Sequence, residues 1–203
     1  MLQRPDPRLI LASASASRQA LLRAAGLMFA IQPTHIDEAE VKRTARADSA
    51  SAEEAALLLA ELKARRAALR DPEALVIGAD QILVCGDDWF DKPADVPAAS
   101  TQLRTLRGRT HALATAVACQ RGGECLWHHL ARPQLTMRRF SDAFLDAYLT
   151  ADGDDVTTTV GAYRLEGRGI HLFERIEGEH AAILGLPLLE LLGFLRQHGL
   201  LVV

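Results

Sequence analysis

Short apolar runs alternate with helical stripes along this chain. Residues 9–12, Leu-Ile-Leu-Ala, form an unbroken apolar run and predict a buried strand. After Ser13-Ala14-Ser15-Ala16-Ser17, a helical spacing through Leu21, Leu22 and Ala25 predicts a helix, which Gly26 stops. Residues 29–32 read as another strand. Pro33 opens a polar loop through Asp37, Glu38, Glu40, Lys42 and Arg43 to about Ser49. Ser51 and Glu54 have capping-box spacing and open a long helix through Leu57, Leu58, Leu59, Leu62 and Ala67, ended by Asp71-Pro72. Residues 75–80 predict a buried strand that finishes on Asp80, and 82–85 continue extended to a turn at Gly86-Asp87-Asp88.

Pro97 suits the first turn of a helix reaching Leu106. Residues 110–120 predict a long strand, paired across Gly122-Gly123 with 124–138. Ser141 caps a helix through Phe144, Leu145 and Tyr148, and a polar stretch follows over 152–159. Gly161-Ala162-Tyr163 reads as a loop and 170–176 as a strand. Pro187 starts a last helix that carries Leu188, Leu189, Leu192 and Leu195 and stops near Gly199. The alternation of strands and helices makes the class α/β. No internal repeat and no linker interrupts it, so residues 1–203 are expected to be a single domain, its strand-rich middle forming a second lobe on the same sheet.

Composition narrows the function. Hydrophobic residues make up 49% and charged residues 24% of 203, which is ordinary for a globular chain and excludes a disordered one. The net charge of −3 argues against a nucleic-acid partner, since a duplex-coating protein carries a basic excess. No stretch approaches the ~18 apolar residues of a membrane span, and the first apolar run is too short for a secretory signal. Cys85, Cys119 and Cys125 are an odd set with no Cys-x-x-Cys pair. They read as reduced thiols of a cytoplasmic protein, not a zinc ribbon or a disulfide frame. His128 and His129 are adjacent on a predicted strand, so they point to opposite faces and read as surface and interface residues.

Four clusters could carry chemistry. The loop from Ser13 through Ser15 and Ser17 to Arg18 joins hydroxyls, a helix N-terminus and a guanidinium, the parts of a phosphate site; the bland alternative is a capping serine beside a solvated Arg18. Ile36-Asp37-Glu38 offers hard oxygens that suit Mg²⁺, or a merely solvated acidic loop. Asp80 ends an apolar strand, where α/β sheets place their sites; burying it unpaired is costly, so a metal or cation partner is implied. Lys63 and Lys92 stand out in a chain with few lysines and suit a phosphoanhydride, or an exposed helix face and a loop. Together these residues suit hydrolysis of a polyphosphate better than acyl transfer or redox chemistry.

The order of motifs resembles the Maf family. It runs through Leu-Ile-Leu-Ala-Ser-Ala-Ser at 9–15, Arg18, Ile-Asp-Glu at 36–38, Leu-Lys-Ala at 62–64 and Ile-Gly-Ala-Asp at 77–80. It continues through Asp-Lys-Pro at 91–93, Gly-Arg-Thr-His at 108–111, Gly-Ala-Tyr at 161–163 and Leu-Gly-Leu-Pro-Leu at 184–188. The resemblance implies a curved mixed sheet flanked by helices, as in Maf and ITPase-like proteins, in two lobes with the nucleotide in the cleft between them. It implies a house-cleaning hydrolase that cuts a nucleoside triphosphate between the α and β phosphates with Mg²⁺ or Mn²⁺. By the same resemblance Asp80 is the proton acceptor and, with Glu38, holds the metal. Ser13, Ser15, Arg18, Lys63 and Lys92 bind phosphate.

Ser17, Gln81 and Glu166 fall at positions that set base specificity. Gln81 and Glu166 resemble the branch that prefers 7-methyl-GTP, while Ser17 stands where that branch has Trp. Thr159 stands where the branch preferring dTTP and UTP has Lys. A guanine nucleotide, methylated or not, is the expected substrate. The rival expectation is a nucleotide-binding regulator of cell division and septum formation that needs no turnover. The oligomeric state is open, a homodimer being the candidate assembly.

Overall fold

The computed structural model describes residues 2–202. Its elements begin with β1 (Leu9–Leu11), α1 (Ala16–Ala24), β2 (Ala30–Ile31), α2 (Glu38–Ala47), α3 (Ala52–Ala68) and β3 (Leu75–Cys85). They continue with β4 (Asp88–Phe90), α4 (Val96–Leu106), β5 (Thr110–Arg121), β6 (Glu124–Ala131), β7 (Gln134–Met137) and α5 (Asp142–Asp152). Three short 3₁₀ turns precede β8 (Phe173–Glu177), α6 (His180–Ile183) and α7 (Leu188–Gln197). The class is α/β, as the alternation predicted, and the sheet is mixed, as the resemblance implied. Among the described residues no helix is long and apolar enough to cross a membrane.

The chain divides into two compact units, and β3 and β5 each run from one into the other. The first comprises Met1–Gln81, Thr115–Ala131 and Glu179–Val203; the second comprises Ile82–Ala114 and Arg132–Gly178.

In the first unit β1 pairs in parallel with both β2 and β3, in the register Leu11↔Ile31 and Leu11↔Ile77. Strand alternation then sorts the side chains. Leu9, Leu11, Leu75 and Ile77 join a core with Leu22, Leu191 and Phe194. Ile10, Ala12 and Val76 face Ala64, Ala67 and Ala68 of α3. Buried on both faces, such strands read as continuous apolar runs, which is why β1 and β3 were visible in the sequence. The cap of α1 is also as expected. Gly26 takes φ +74°, its N–H donates to the Arg23 carbonyl, and the Leu27 N–H donates to the Leu22 carbonyl.

Helix α2 corrects one expectation, because a polar loop was predicted there. Asp37 caps it by accepting from the Glu40 N–H at 3.0 Å, and Glu38 and Glu40 sit at its positive end. Glu40 also pairs with Arg43 one turn on. Only Ala45 of this helix is buried, so no apolar stripe marked it. Its end uses Ser49 at φ 59° where glycine would have given the signal. By contrast, the capping box of α3 forms as predicted, with Ser51 and Glu54 bonded reciprocally.

The second unit is antiparallel. The end of β3 pairs with β4 (Leu83↔Phe90), β7 pairs with β5 (Thr110↔Thr136), and β8 pairs with β7 (Leu135↔Ile176). The strand expected over 124–138 is two, because Arg132-Pro133 breaks it between β6 and β7. The strand expected from Ile170 starts at Phe173, after a 3₁₀ turn over Arg168–Leu172.

Candidate active site

Gly78 is the first cause of the site's geometry. A Cβ there would lie 2.1 Å from the Ala60 carbonyl oxygen and 2.6 Å from the Ala64 nitrogen, so β3 and the backbone of α3 approach as only glycine allows. The inner face of α3 is nearly all alanine, and the one charge buried in it is Lys63. Close packing therefore delivers the Lys63 ammonium to Asp80, two residues beyond Gly78. Nζ lies 2.6 Å from Asp80 Oδ1, with side-chain exposures of 9% and 6%. It also lies 2.7 Å from Glu38 Oε1, at the start of α2.

Asp80 does not end its strand, as the sequence suggested, but sits inside β3. The pairing of β3 with β1 runs through Ile77 and its pairing with β4 begins at Leu83, so Asp80 lies between these two ladders. Its second oxygen, Oδ2, is buried with no hydrogen-bond partner. A buried carboxylate oxygen without a partner is costly and marks a place kept for a ligand, a cation or a reacting water.

The serine loop forms the other wall. Ser13 follows directly from β1, whose ladder with β3 is extended by the Ala12 N–H donating to the Ile77 carbonyl. Ser13 Oγ accepts from the Ser15 N–H and from the Arg18 guanidinium, both at 3.2 Å, which leaves its own O–H to donate. Ser15 caps α1 by accepting from the Arg18 N–H at 3.4 Å. Arg18 is buried and not solvated, and its Nε donates to the Gly185 carbonyl at 2.8 Å. Burial pulls the Arg18 guanidinium below its ordinary range, while the negative charges of Asp80 and Glu38 hold it up. Burial pushes the Glu38 carboxyl up, but the charge and hydrogen bond of Lys63, with Lys42 and Arg18, outweigh it and leave it below the usual carboxylate range. Arg18, Lys63, Glu38 and Asp80 thus form a charge-balanced quartet.

The remaining predicted residues behave differently. Ser17, in the first turn of α1, is half-buried. Gln81 turns away from Asp80, as alternation requires. Its Nε2 reaches Thr115 Oγ1 at 2.8 Å and the carbonyls of Ala182 and Ile183 at 3.0 and 3.2 Å, so its N–H groups hold the chain before Gly185. Lys92 and Glu166 belong to the second unit. Lys92 is exposed after β4, and Glu166 lies 3.5 Å from Arg164 Nε. Sequence reasoning missed Gly78, Gly185 and Thr115 as supports of the site. Gly185 has φ +103°, and a Cβ there would lie 3.2 Å from Arg18 Nε. The only signal for it was its place in the Leu-Gly-Leu-Pro-Leu motif.

Two carboxylates sharing one ammonium, with one buried oxygen left free, fit a hard divalent cation such as Mg²⁺ or Mn²⁺. The quartet sets two buried cations beside two carboxylates, one oxygen of which, Asp80 Oδ2, is buried without a partner.

Comparison with known proteins shows the family. A family model described as "Maf-like protein" matches residues 8–198. A Granulibacter bethesdensis protein named nucleoside triphosphate pyrophosphatase is 53% identical over 196 residues, covering 97% of this chain and 100% of that protein. A Rhodospirillum rubrum protein of the same name is 52% identical over 196 residues, covering 97% of each. A Rhizobium meliloti protein named 7-methyl-GTP pyrophosphatase is 47% identical over 193 residues, covering 95% of this chain and 97% of that protein. With a family match over nearly its whole length and relatives at about half identity, the chain belongs to the Maf-like protein family.

Proposed function

We propose that this chain is a nucleoside triphosphate pyrophosphatase, which hydrolyses the bond between the α and β phosphates to give a nucleoside monophosphate and pyrophosphate. The observation that carries the proposal is the Asp80 carboxylate, with Oδ1 fixed by Lys63 and Oδ2 buried and unpartnered. The names of the relatives support the same activity.

In this reaction water attacks Pα, the Pα–O bond to Pβ breaks, and pyrophosphate leaves with the bridging oxygen. Asp80 Oδ2 accepts the proton of the attacking water. Lys63 aims that carboxylate by holding Oδ1, and Arg18, fixed on Gly185 and bonded to Ser13, is the cation we assign to the phosphates. Charge balance bears on the cofactor. The quartet is neutral, so a triphosphate brings negative charge that its cations do not offset. Glu38 and Asp80 would hold a divalent cation, which would supply that neutralisation and polarise the phosphoryl oxygens.

Guanine nucleotides, including 7-methyl-GTP, are the substrates we infer. Gln81 and Glu166 support this by motif, as do two relatives named 7-methyl-GTP pyrophosphatase. A carboxylate at Glu166 accepts from the N1–H and N2–H of guanine but opposes the carbonyls of uracil. Lys92 is assigned to phosphate by motif alone. The free cysteines suit a cytoplasmic enzyme. The test is pyrophosphate release from a panel of GTP, 7-methyl-GTP, ATP, CTP, UTP and dTTP with and without Mg²⁺. Release from guanine nucleotides, dependent on Mg²⁺, is expected; release from none would overturn the proposal.

A further inference from the structure

We propose that Glu61, Cys125 and His128 form a binding site for a thiophilic divalent cation of the zinc class, separate from the phosphate site. Their ligand atoms all lie within 4.8 Å of one another. Soft thiolate, imidazole and carboxylate together are the donor set such a cation prefers, with a fourth position left to water.

The site depends on a strand irregularity. Residues three apart on a regular strand point to opposite faces. In β6, however, Cys125 pairs with Gln120 and Trp127 pairs with Cys119, so Leu126 is an extra residue with no partner on β5. This bulge shifts the alternation by one. Cys125 and His128 then share the face of Gln120 and Ala118, their partners on β5. His129 takes the other face and stacks on Trp127, as expected for adjacent histidines.

The third ligand comes from α3, which packs on β6. Buried Gln120, directly opposite Cys125, donates to the Glu61 backbone carbonyl at 3.3 Å and so holds that turn of α3 over the strand. His128 Nδ1 lies 3.4 Å from Glu61 Oε1. A tetrahedral cation with bonds of about 2.0 Å to nitrogen and oxygen holds those two atoms about 3.3 Å apart. Cys125 Sγ makes one weak contact, 3.7 Å from the Trp127 carbonyl. Cys125 and His128 are exposed, so small side-chain rotations can bring their ligand atoms onto one centre. On binding, the thiol proton leaves to solvent and sulfur coordinates as thiolate.

Cobalt(II) titration of chelator-stripped, phosphine-reduced protein tests this. The expected result is one saturable equivalent with a thiolate-to-cobalt charge-transfer band, abolished in Cys125→Ser and reversed by Zn²⁺ but not by Mg²⁺. His128→Gln should raise the titration midpoint at least tenfold. All three ligands are surface-accessible, so circular dichroism of the variants should match the wild type. Absence of a saturable band overturns the proposal, and so does a band that persists in Cys125→Ser, which would place the metal at another thiol. An ion held only at Glu38 and Asp80 would bind without any thiolate band and would also overturn it.

Discussion

Lys63 Nζ lies 2.6 Å from Asp80 Oδ1, and the other Asp80 oxygen is buried with no partner. One cation thus holds half of the carboxylate and leaves the other half free. Removing Lys63 takes the contacting cation from the buried Asp80 carboxylate, whereas removing the Asp80 charge leaves Lys63 its bond to Glu38. Lys63→Met should cost about 3–5 kcal/mol of stability in urea unfolding, and Asp80→Asn less, because the amide stays neutral beside the ammonium. The double variant should cost clearly less than the sum of the two, since their interaction is counted twice in the singles. Additive losses would show that the ion pair does not bear on the fold.

Gly78→Ala is expected to be far more damaging than an ordinary glycine change. The added Cβ would meet the Ala60 carbonyl at 2.1 Å, and backbone on both sides cannot swing aside. A loss of about 2–4 kcal/mol is expected, with a drop in turnover as Lys63 moves off Asp80. Thermal melting and pyrophosphate release measured on one preparation would check both effects.

How far the sequence revealed this site follows from particular residues. Asp80, Arg18, Lys63 and Glu38 each had a bland alternative in the sequence, and the order of motifs resembling the Maf family singled them out together. Their mutual geometry was not legible, since Lys63 meets Asp80 only through the close approach at Gly78, and a strand glycine does not say which helix it admits. The polar α2 escaped notice because its caps, Asp37 and Ser49, carry it without an apolar stripe. The bulge at Leu126 has no sequence signal at all, so Cys125 and His128 read as unrelated residues.

His111 should dominate the acid sensitivity of the fold. It is buried, with Nε2 2.8 Å from the Tyr163 hydroxyl, and burial lowers its pKa to about 4. The unfolded chain takes up a proton near pH 6.5, where the folded one does not. Stability therefore falls as pH drops from about 6.5 towards 4, by about 2–3 kcal/mol at pH 4.5. In His111→Gln that pH dependence should shrink by a similar amount, read as the difference in urea midpoints at pH 7.5 and 4.5.

Base preference can be read separately from turnover. Wild-type kcat/KM for guanine nucleotides should exceed that for UTP and dTTP, and Glu166→Gln should narrow the gap by about 1–3 kcal/mol. Faster turnover of UTP than of GTP or 7-methyl-GTP would remove Glu166 from base recognition.

The central claim is that Asp80 takes the proton of the water that attacks Pα. Its most direct test is single-turnover pyrophosphate release by Asp80→Asn at saturating nucleotide and Mg²⁺, with nucleotide binding measured alongside. A rate lowered by at least ~10²-fold with binding retained is predicted. Wild-type release from Asp80→Asn would contradict the claim.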